Sequence, residues 1–473
     1  MQNTLNIRSI VEQELQQKGY NLSRFSQVSG MNRGTLSLIL NGNPSKLPSI
    51  PQMDKIAEAL GYEQGWLYEL YLEECFDREV PHWRRLKNFL YRCIQLDKEE
   101  LIDKALYRLM EDCSQTAAVF DAAEEWYEEG HRQILLPFYR YVTVNEKYRH
   151  AERLAVSHYR IFRLSQSENF ENNLRAAITF EPYRHELPVG FRLDGLLKLA
   201  NIYFNQHMWE KVEFFADELR ELAMEAYKNK LHIRQDVSSE RGLKTERHLV
   251  VYYGQGYLLK GNSLEKQQKY KEAMHYVLLY KDLSWFEGLN FQGEIEVNKF
   301  CEFSYANLLN LRILQGDKTA LPEYITFLKE RPMEILSGLL TILDSANKYE
   351  YFVDDILDQF ANEIYKFENN EQIDGNYYSN TFIVDRYIGL HRKLAVYFFR
   401  KFQYNDGINS ILISLELSIQ VNDKKHFSAC IAMFEIYKEH SVLNQQKRFQ
   451  NIMREVLFIE ESRLSSPAIN DFI

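Results

Sequence analysis

Residues 25–42 read Phe25-Ser26-Gln27-Val28-Ser29-Gly30-Met31-Asn32-Arg33-Gly34-Thr35-Leu36-Ser37-Leu38-Ile39-Leu40-Asn41-Gly42. Ser29-Gly30-Met31 spells a tight turn, with a glycine where a positive φ costs least. Asn32 suits the N-cap of a short helix over 33–40, because its side-chain oxygen accepts from the open N–H groups of a first turn. Asn41-Gly42-Asn43-Pro44 stops that helix. Upstream, a second short helix runs from about Leu22 to Val28, and Gly19-Tyr20-Asn21 separates it from a first. There Ile7, Ile10, Val11 and Leu15 share one helical face. Downstream, a fourth helix from about Pro51 to Leu60 carries Met53, Ile56, Ala57 and Leu60 and stops at Gly61. Phe25, Met31, Leu36 and Ile39 are the expected core.

Two short helices about a glycine turn, with helices packed before and after, form a helix-turn-helix plan. The residues go further. The stretch 25–42, followed by Ile56-Ala57-Glu58-Ala59-Leu60-Gly61, resembles the lambda-repressor-like (XRE-type) DNA-binding family over the region 1–65. The resemblance implies that the third helix enters the major groove of double-stranded operator DNA, its N-terminal residues meeting base edges. Arg33, in the first turn, suits a bidentate contact to guanine O6 and N7. Gly34, Thr35, Ser37 and Leu38 take groove-facing or groove-edge positions, and Arg24 and Asn41 are phosphate or base-edge candidates. Leu22 and Leu38 depart from the pattern. Family members often carry Gln at the first position and a polar or basic residue at the second.

Residues 66–81 contain Trp66-Leu67-Tyr68-Glu69-Leu70-Tyr71-Leu72, too apolar for a floppy linker, and are expected to connect head and body by packing; Pro81 marks the boundary. From 82 to 473 the periodicity predicts paired helices: 82–95/98–111, 115–129/130–142, 145–164/167–180, 189–206/209–227, 247–262/268–283, 294–315/319–330, 333–347/350–368, 381–402/405–421 and 424–440/443–463. Segment 229–246 is polar and reads as a long loop or frayed helix. Helix pairs at this period suggest a solenoid. Two segments resemble the tetratricopeptide repeat: Leu199-Ala200, Tyr203 and Phe204 leading to Trp209, Val212, Ala216 and Leu219, and Leu394-Ala395, Phe398 and Phe399 leading to Tyr404, Gly407, Ile411 and Ser414. The expected fold class is all-α: a helix-turn-helix domain followed by a tetratricopeptide-like helical-repeat superhelix.

In such a stack the first helix of each pair lines a concave face. The residue just after the small one, and those four before and after that residue, point inward: Asn201, Leu197 and Asn205 in the first good repeat. Asn307, with Phe303 and Leu311, takes the equivalent place in a middle repeat, and Arg392, Val396 and Arg400 do so in a late one. An inward Asn offers a donor and an acceptor to an extended peptide backbone. Lys198, Arg392 and Arg400 suit a carboxylate terminus.

The charge distribution limits where DNA can bind. The chain of 473 residues has 57 basic and 67 acidic residues, net −10. Residues 1–72 balance six of each, so the remainder carries 51 against 61, the whole excess. The body should repel nucleic acid, confining contact to a small surface of the head. Five scattered cysteines (Cys75, Cys93, Cys113, Cys301, Cys430) form no Cys-x-x-Cys pair, which argues against a disulfide scaffold or cysteine-rich metal site and fits a reducing compartment. No signal segment or membrane-length apolar run occurs, so a cytoplasmic protein is expected.

No phosphate-binding Gly-x-x-x-x-Gly-Lys loop, Gly-x-Gly-x-x-Gly or His-Glu-x-x-His motif occurs, and the twelve histidines are dispersed. No enzyme activity, cofactor or metal is expected. The arrangement as a whole resembles the RRNPP group of Gram-positive quorum-sensing receptors. That resemblance implies a homodimer that binds operator DNA and a short signalling peptide in the concave groove. Two other readings stay open: a scaffold that sequesters a signalling protein, with the head accessory, and a sensor of a small molecule.

Overall fold

The computed structural model describes residues 6–42, 47–76, 83–110, 113–148, 151–167, 169–234, 245–368, 380–421 and 423–464. Among them the regular structure is helical, with no strand. No helix is long and apolar enough to cross a membrane. The chain divides into two compact units, Met1–Leu259 and Lys260–Ile473.

The first unit opens with the head: α1 (Ile7–Gln17), α2 (Leu22–Ser29), α3 (Arg33–Asn41) and α4 (Ile50–Leu60). These match the sequence expectation to within a residue or two. Gly30 ends α2 at φ 63°, the left-handed conformation the turn requires. Phe25, Met31, Leu36 and Ile39 are buried with Val11, Met53 and Ile56. The polar turn residues satisfy the backbone locally: Asn21 Oδ1 accepts from Arg24 N at 2.9 Å and Ser26 Oγ donates to the Met31 carbonyl at 2.6 Å.

Next come α5 (Tyr68–Phe76), α6 (Trp83–Gln95), α7 (Glu99–Leu109), α8 (Thr116–Glu128), α9 (Leu136–Asn145), α10 (Glu152–Leu164) and α11 (Phe170–Phe180). One hydrophobic core runs unbroken from Ile7 to Leu164, so the head shares its interior with the helices after it. The unit continues with α12 (Val189–Asn205), α13 (Trp209–Arg234) and α14 (Leu249–Lys266), the last of which contains the division between units. Helix α9 starts later than its periodicity suggests, because a 3-10 turn over 133–135 precedes it and Pro137 is tolerated only in the first helical turn. The polar tail of α13 remains helical to Arg234, while 235–244, part of the expected loop, lie outside the described residues.

The second unit holds α15 (Tyr270–Leu279), α16 (Phe291–Leu314), α17 (Leu321–Glu330), α18 (Ile335–Lys348), α19 (Asp354–Gln359), α20 (Ala361–Glu368), α21 (Asn380–Arg400), α22 (Tyr404–Gln420), α23 (Lys424–Tyr437) and α24 (Leu443–Leu464). The single helix expected over 350–368 is two. Phe360 is buried in the unit's core between them, and the Val353 N–H, just before α19, donates to the Tyr397 hydroxyl at 2.8 Å. Tertiary anchoring thus overrides a continuous local pattern.

The two segments with the best repeat pattern, α12 with α13 and α21 with α22, each pack together extensively among the described residues. Small residues permit it: Ala200, Ala216, Ala395 and Ser414 are fully buried. Aromatics fill the space between, as in the parallel stack of Tyr203 on Phe215 at 5.4 Å. At Gly407 an added Cβ would fall 2.4 Å from the Phe399 ring, so the approach of α22 to α21 depends on that glycine.

Candidate nucleic-acid interface

Helix α3 exists because its two faces have different tasks. Leu36, Ile39 and Leu40 enter the core. On the other face Arg33, Gly34, Leu38 and Asn41 are exposed and Thr35 and Ser37 half-buried. Asn32 caps the helix, its Oδ1 accepting from the Gly34 N–H at 2.7 Å. Arg33 has no hydrogen-bond or ionic partner among the described residues. A cation in a helix's first turn opposes the helix dipole, so this placement costs stability rather than adding it. Arg24, on the preceding helix, is also exposed and lies over the Tyr20 ring at 5.4 Å. Arg33, Gly34, Ser37, Leu38 and Asn41 therefore form one strip along a capped helix, the geometry a major-groove reader needs. Thr35 lies at its edge.

A polar cluster that the sequence did not suggest holds the head to α5 and α6. Asp54, buried on α4, accepts from the Tyr68 hydroxyl of α5 at 2.8 Å and from Arg92 Nε of α6 at 3.1 Å. Burial and the Asp54 carboxylate together push the Tyr68 phenol well above its ordinary pKa. Arg92 also donates to Gln64. Glu74 of α5 accepts from the Ile7 N–H at 2.7 Å, capping the first turn of α1, and Lys104 of α7 pairs with Glu69 of α5 at 2.5 Å. Nothing in local periodicity marks these pairings; only the oddity of a carboxylate on the apolar face of α4 could have pointed to Asp54.

The candidate peptide-contacting residues fall in both units. In the first, Leu197 is buried and its carbonyl accepts from Asn201 Nδ2 at 2.8 Å, so part of the Asn201 amide is engaged by its own helix. Asn201 and Asn205 are otherwise exposed. Lys198 is half-buried, and burial, with Arg163 and Arg247 nearby, lowers its pKa. In the second unit Asn307 Nδ2 donates to the Tyr280 hydroxyl at 2.8 Å. Arg400 donates to the Ala346 carbonyl at 2.7 Å, tying α21 to α18. Arg392 is half-buried, with its Nε enclosed and unpaired.

Among the described residues Asp385, Asp423 and His426 bring ligand-type atoms within 4.8 Å of one another. Two of the three are already bonded to each other at the start of α23. Asp423 accepts from the His426 backbone N–H at 3.0 Å and meets its Nδ1 at 2.6 Å.

A helix-turn-helix family model matches residues 11–67. No curated protein matches the chain. Among solved structures, a circular tandem repeat protein with a novel repeat topology aligns at 11% identity over 95% of this chain and 90% of its own, with a TM-score of 0.13, too slight a likeness to bear on the fold.

Proposed function

We propose that the chain is a transcription regulator that reads operator DNA as a homodimer and whose DNA binding is controlled by a short signalling peptide held on its helical repeats. The premise is the DNA-binding helix-turn-helix at residues 11–67. The observation that carries the DNA reading is the exposed strip of α3, with Arg33 unpaired at its N-terminal end. The net acidic charge of the remainder suits this division of labour, since it disfavours nucleic acid there relative to the head.

The control by peptide rests on the helical-repeat architecture and on the family resemblance of the whole arrangement. Asn201, Asn205 and Lys198 are accessible in one unit, and Asn307, Arg392 and Arg400 keep partly accessible polar groups in the other. Peptide binding would favour one arrangement of the repeats over another and so change the spacing of the two heads, a population shift between states of different half-site geometry. Leu67, Tyr68, Tyr71 and Leu72, between head and body, belong to the shared core, which suits a rigid transmission.

The test is footprinting of the purified chain on DNA flanking its own gene, with and without extract of the producing cells. A two-fold symmetric protected site that extract alters is the expected result. Protection indifferent to extract removes the peptide, and no protection at low salt removes the regulator. With a peptide in hand, Asn201→Ala and Asn307→Ala should each reduce the thermal stabilisation it confers; full retention in both would sink the assigned site.

A further inference from the structure

The two leucines that depart from the helix-turn-helix pattern are treated differently by the structure. Leu22 packs against the head core. Leu38 does not: it is 55% exposed, on the solvent face of α3. Single exposed leucines are ordinary on protein surfaces. This one, however, lies within the strip whose other members are an arginine, a glycine, a serine and an asparagine.

Its surroundings give it a defined shape. Helical side chains lean toward the N-terminus, so Leu38 covers the surface above the turn before it, which is Gly34. Gly34 contributes no side chain there, and only Asn32 Oδ1 lies within 4 Å of where its Cβ would be. Leu38 therefore presents its methyl groups over a bare stretch of helix backbone, with Asn41, Ser37 and Arg33 in turn on one side of it around the helix and Thr35 on the other. Gly34 also lets this part of the helix come close to whatever it faces. On the major-groove floor the one apolar feature is the C5 methyl group of a pyrimidine.

We propose that Leu38 is a specificity-determining residue that reads a C5-methylpyrimidine next to the base contacted by Arg33. The inference rests on the DNA reading above and deepens it. The shared chemistry is the C5 methyl, which thymine carries always and cytosine only when methylated. The leucine cannot hydrogen-bond, so it selects by burying that methyl and by leaving an unpaired polar edge buried when another base takes its place.

The experiment uses the full chain. Preferred duplexes are selected from a random pool. Each thymine is then replaced in turn by deoxyuridine, and each cytosine by 5-methylcytosine. At one thymine position, removal of the methyl should weaken binding about fourfold, the worth of one buried methyl-sized group. A gain at a methylated cytosine instead assigns the methylated base. In Leu38→Ala the methyl effect should vanish. In Leu38→Gln the selected base at that position should move toward adenine. Since Leu38 is exposed, both variants should unfold thermally like the parent. Methyl indifference at every position, with Arg33→Ala still relaxing the preference at one base position, overturns the inference and leaves the DNA reading intact. Failure to enrich any sequence overturns both.

Discussion

Asp54 of the DNA-reading head and Arg92 of the first body helix form an ion pair at 3.1 Å, with the Tyr68 hydroxyl donating to the second carboxylate oxygen at 2.8 Å. Three helices that are separate in sequence, α4, α5 and α6, thus meet on one buried carboxylate. The head is therefore built into the first helices of the body.

Removing that carboxylate should be costly. Asp54→Ala leaves Tyr68 and Arg92 with unmatched donors and is expected to destabilise the first unit by about 2–4 kcal/mol. Tyr68→Phe removes one hydrogen bond and should cost only about 0.5–1.5 kcal/mol. Urea midpoints of the two variants check the order; equal, near-parental midpoints would show that the cluster does not hold the head.

The two arginines of the head should separate by the kind of loss they cause. Arg33→Ala is expected to cost about 1–3 kcal/mol at one base position and to relax the preference there. Stability should be unchanged or slightly higher, because a cation leaves the positive end of α3. If Arg24, a phosphate or base-edge candidate, meets phosphate, Arg24→Ala should weaken all duplexes alike and lower the salt slope by about one. Binding titrations at several salt concentrations distinguish the two, and equal effects on matched and mismatched duplexes would remove Arg33 from the base-reading role.

Gly407→Ala tests the repeat packing. The new Cβ would meet the Phe399 ring, itself stacked on Tyr437 at 3.7 Å and so not free to yield. A loss of about 1–3 kcal/mol is expected, read as a lower thermal midpoint for the second unit. Phe399→Leu in the same chain should recover part of it. An Ala variant as stable as the parent would mean that α22 can shift away from α21 at no cost.

His391 gives the second unit a pH dependence. Burial lowers its pKa to about 4, with its ring edge-on to Tyr387 at 4.6 Å. The unfolded imidazole titrates near the ordinary value of about 6.5. Between these values the unfolded chain binds the extra proton, so stability is full above about pH 6.5 and falls as the pH drops toward 4. His391→Phe should flatten that part of the profile in denaturant titrations across this range. An unchanged slope would assign the acid sensitivity to other groups.

Much of this architecture was legible one helix at a time. Asn32, Gly30 and the spacing of Leu36 and Ile39 define α3, because caps, turns and one-sided apolar patterns are local properties. Ala200 with Ala216, and Ala395 with Ser414, marked the close helix pairs for the same reason: backbones approach only where side chains are small. Other features depended on residues distant in the chain. Whether an amide such as Asn307 faces solvent or the Tyr280 hydroxyl is decided by which helix packs beside it. Leu22 and Leu38 carry the same side chain, yet one is covered and the other open, a difference set by the rotation of each helix against the core. The clamp of Tyr68 and Arg92 on Asp54 is of the same kind. Hydrogen bonds and burial between elements depend on where whole helices come to rest, which the tertiary structure alone determines.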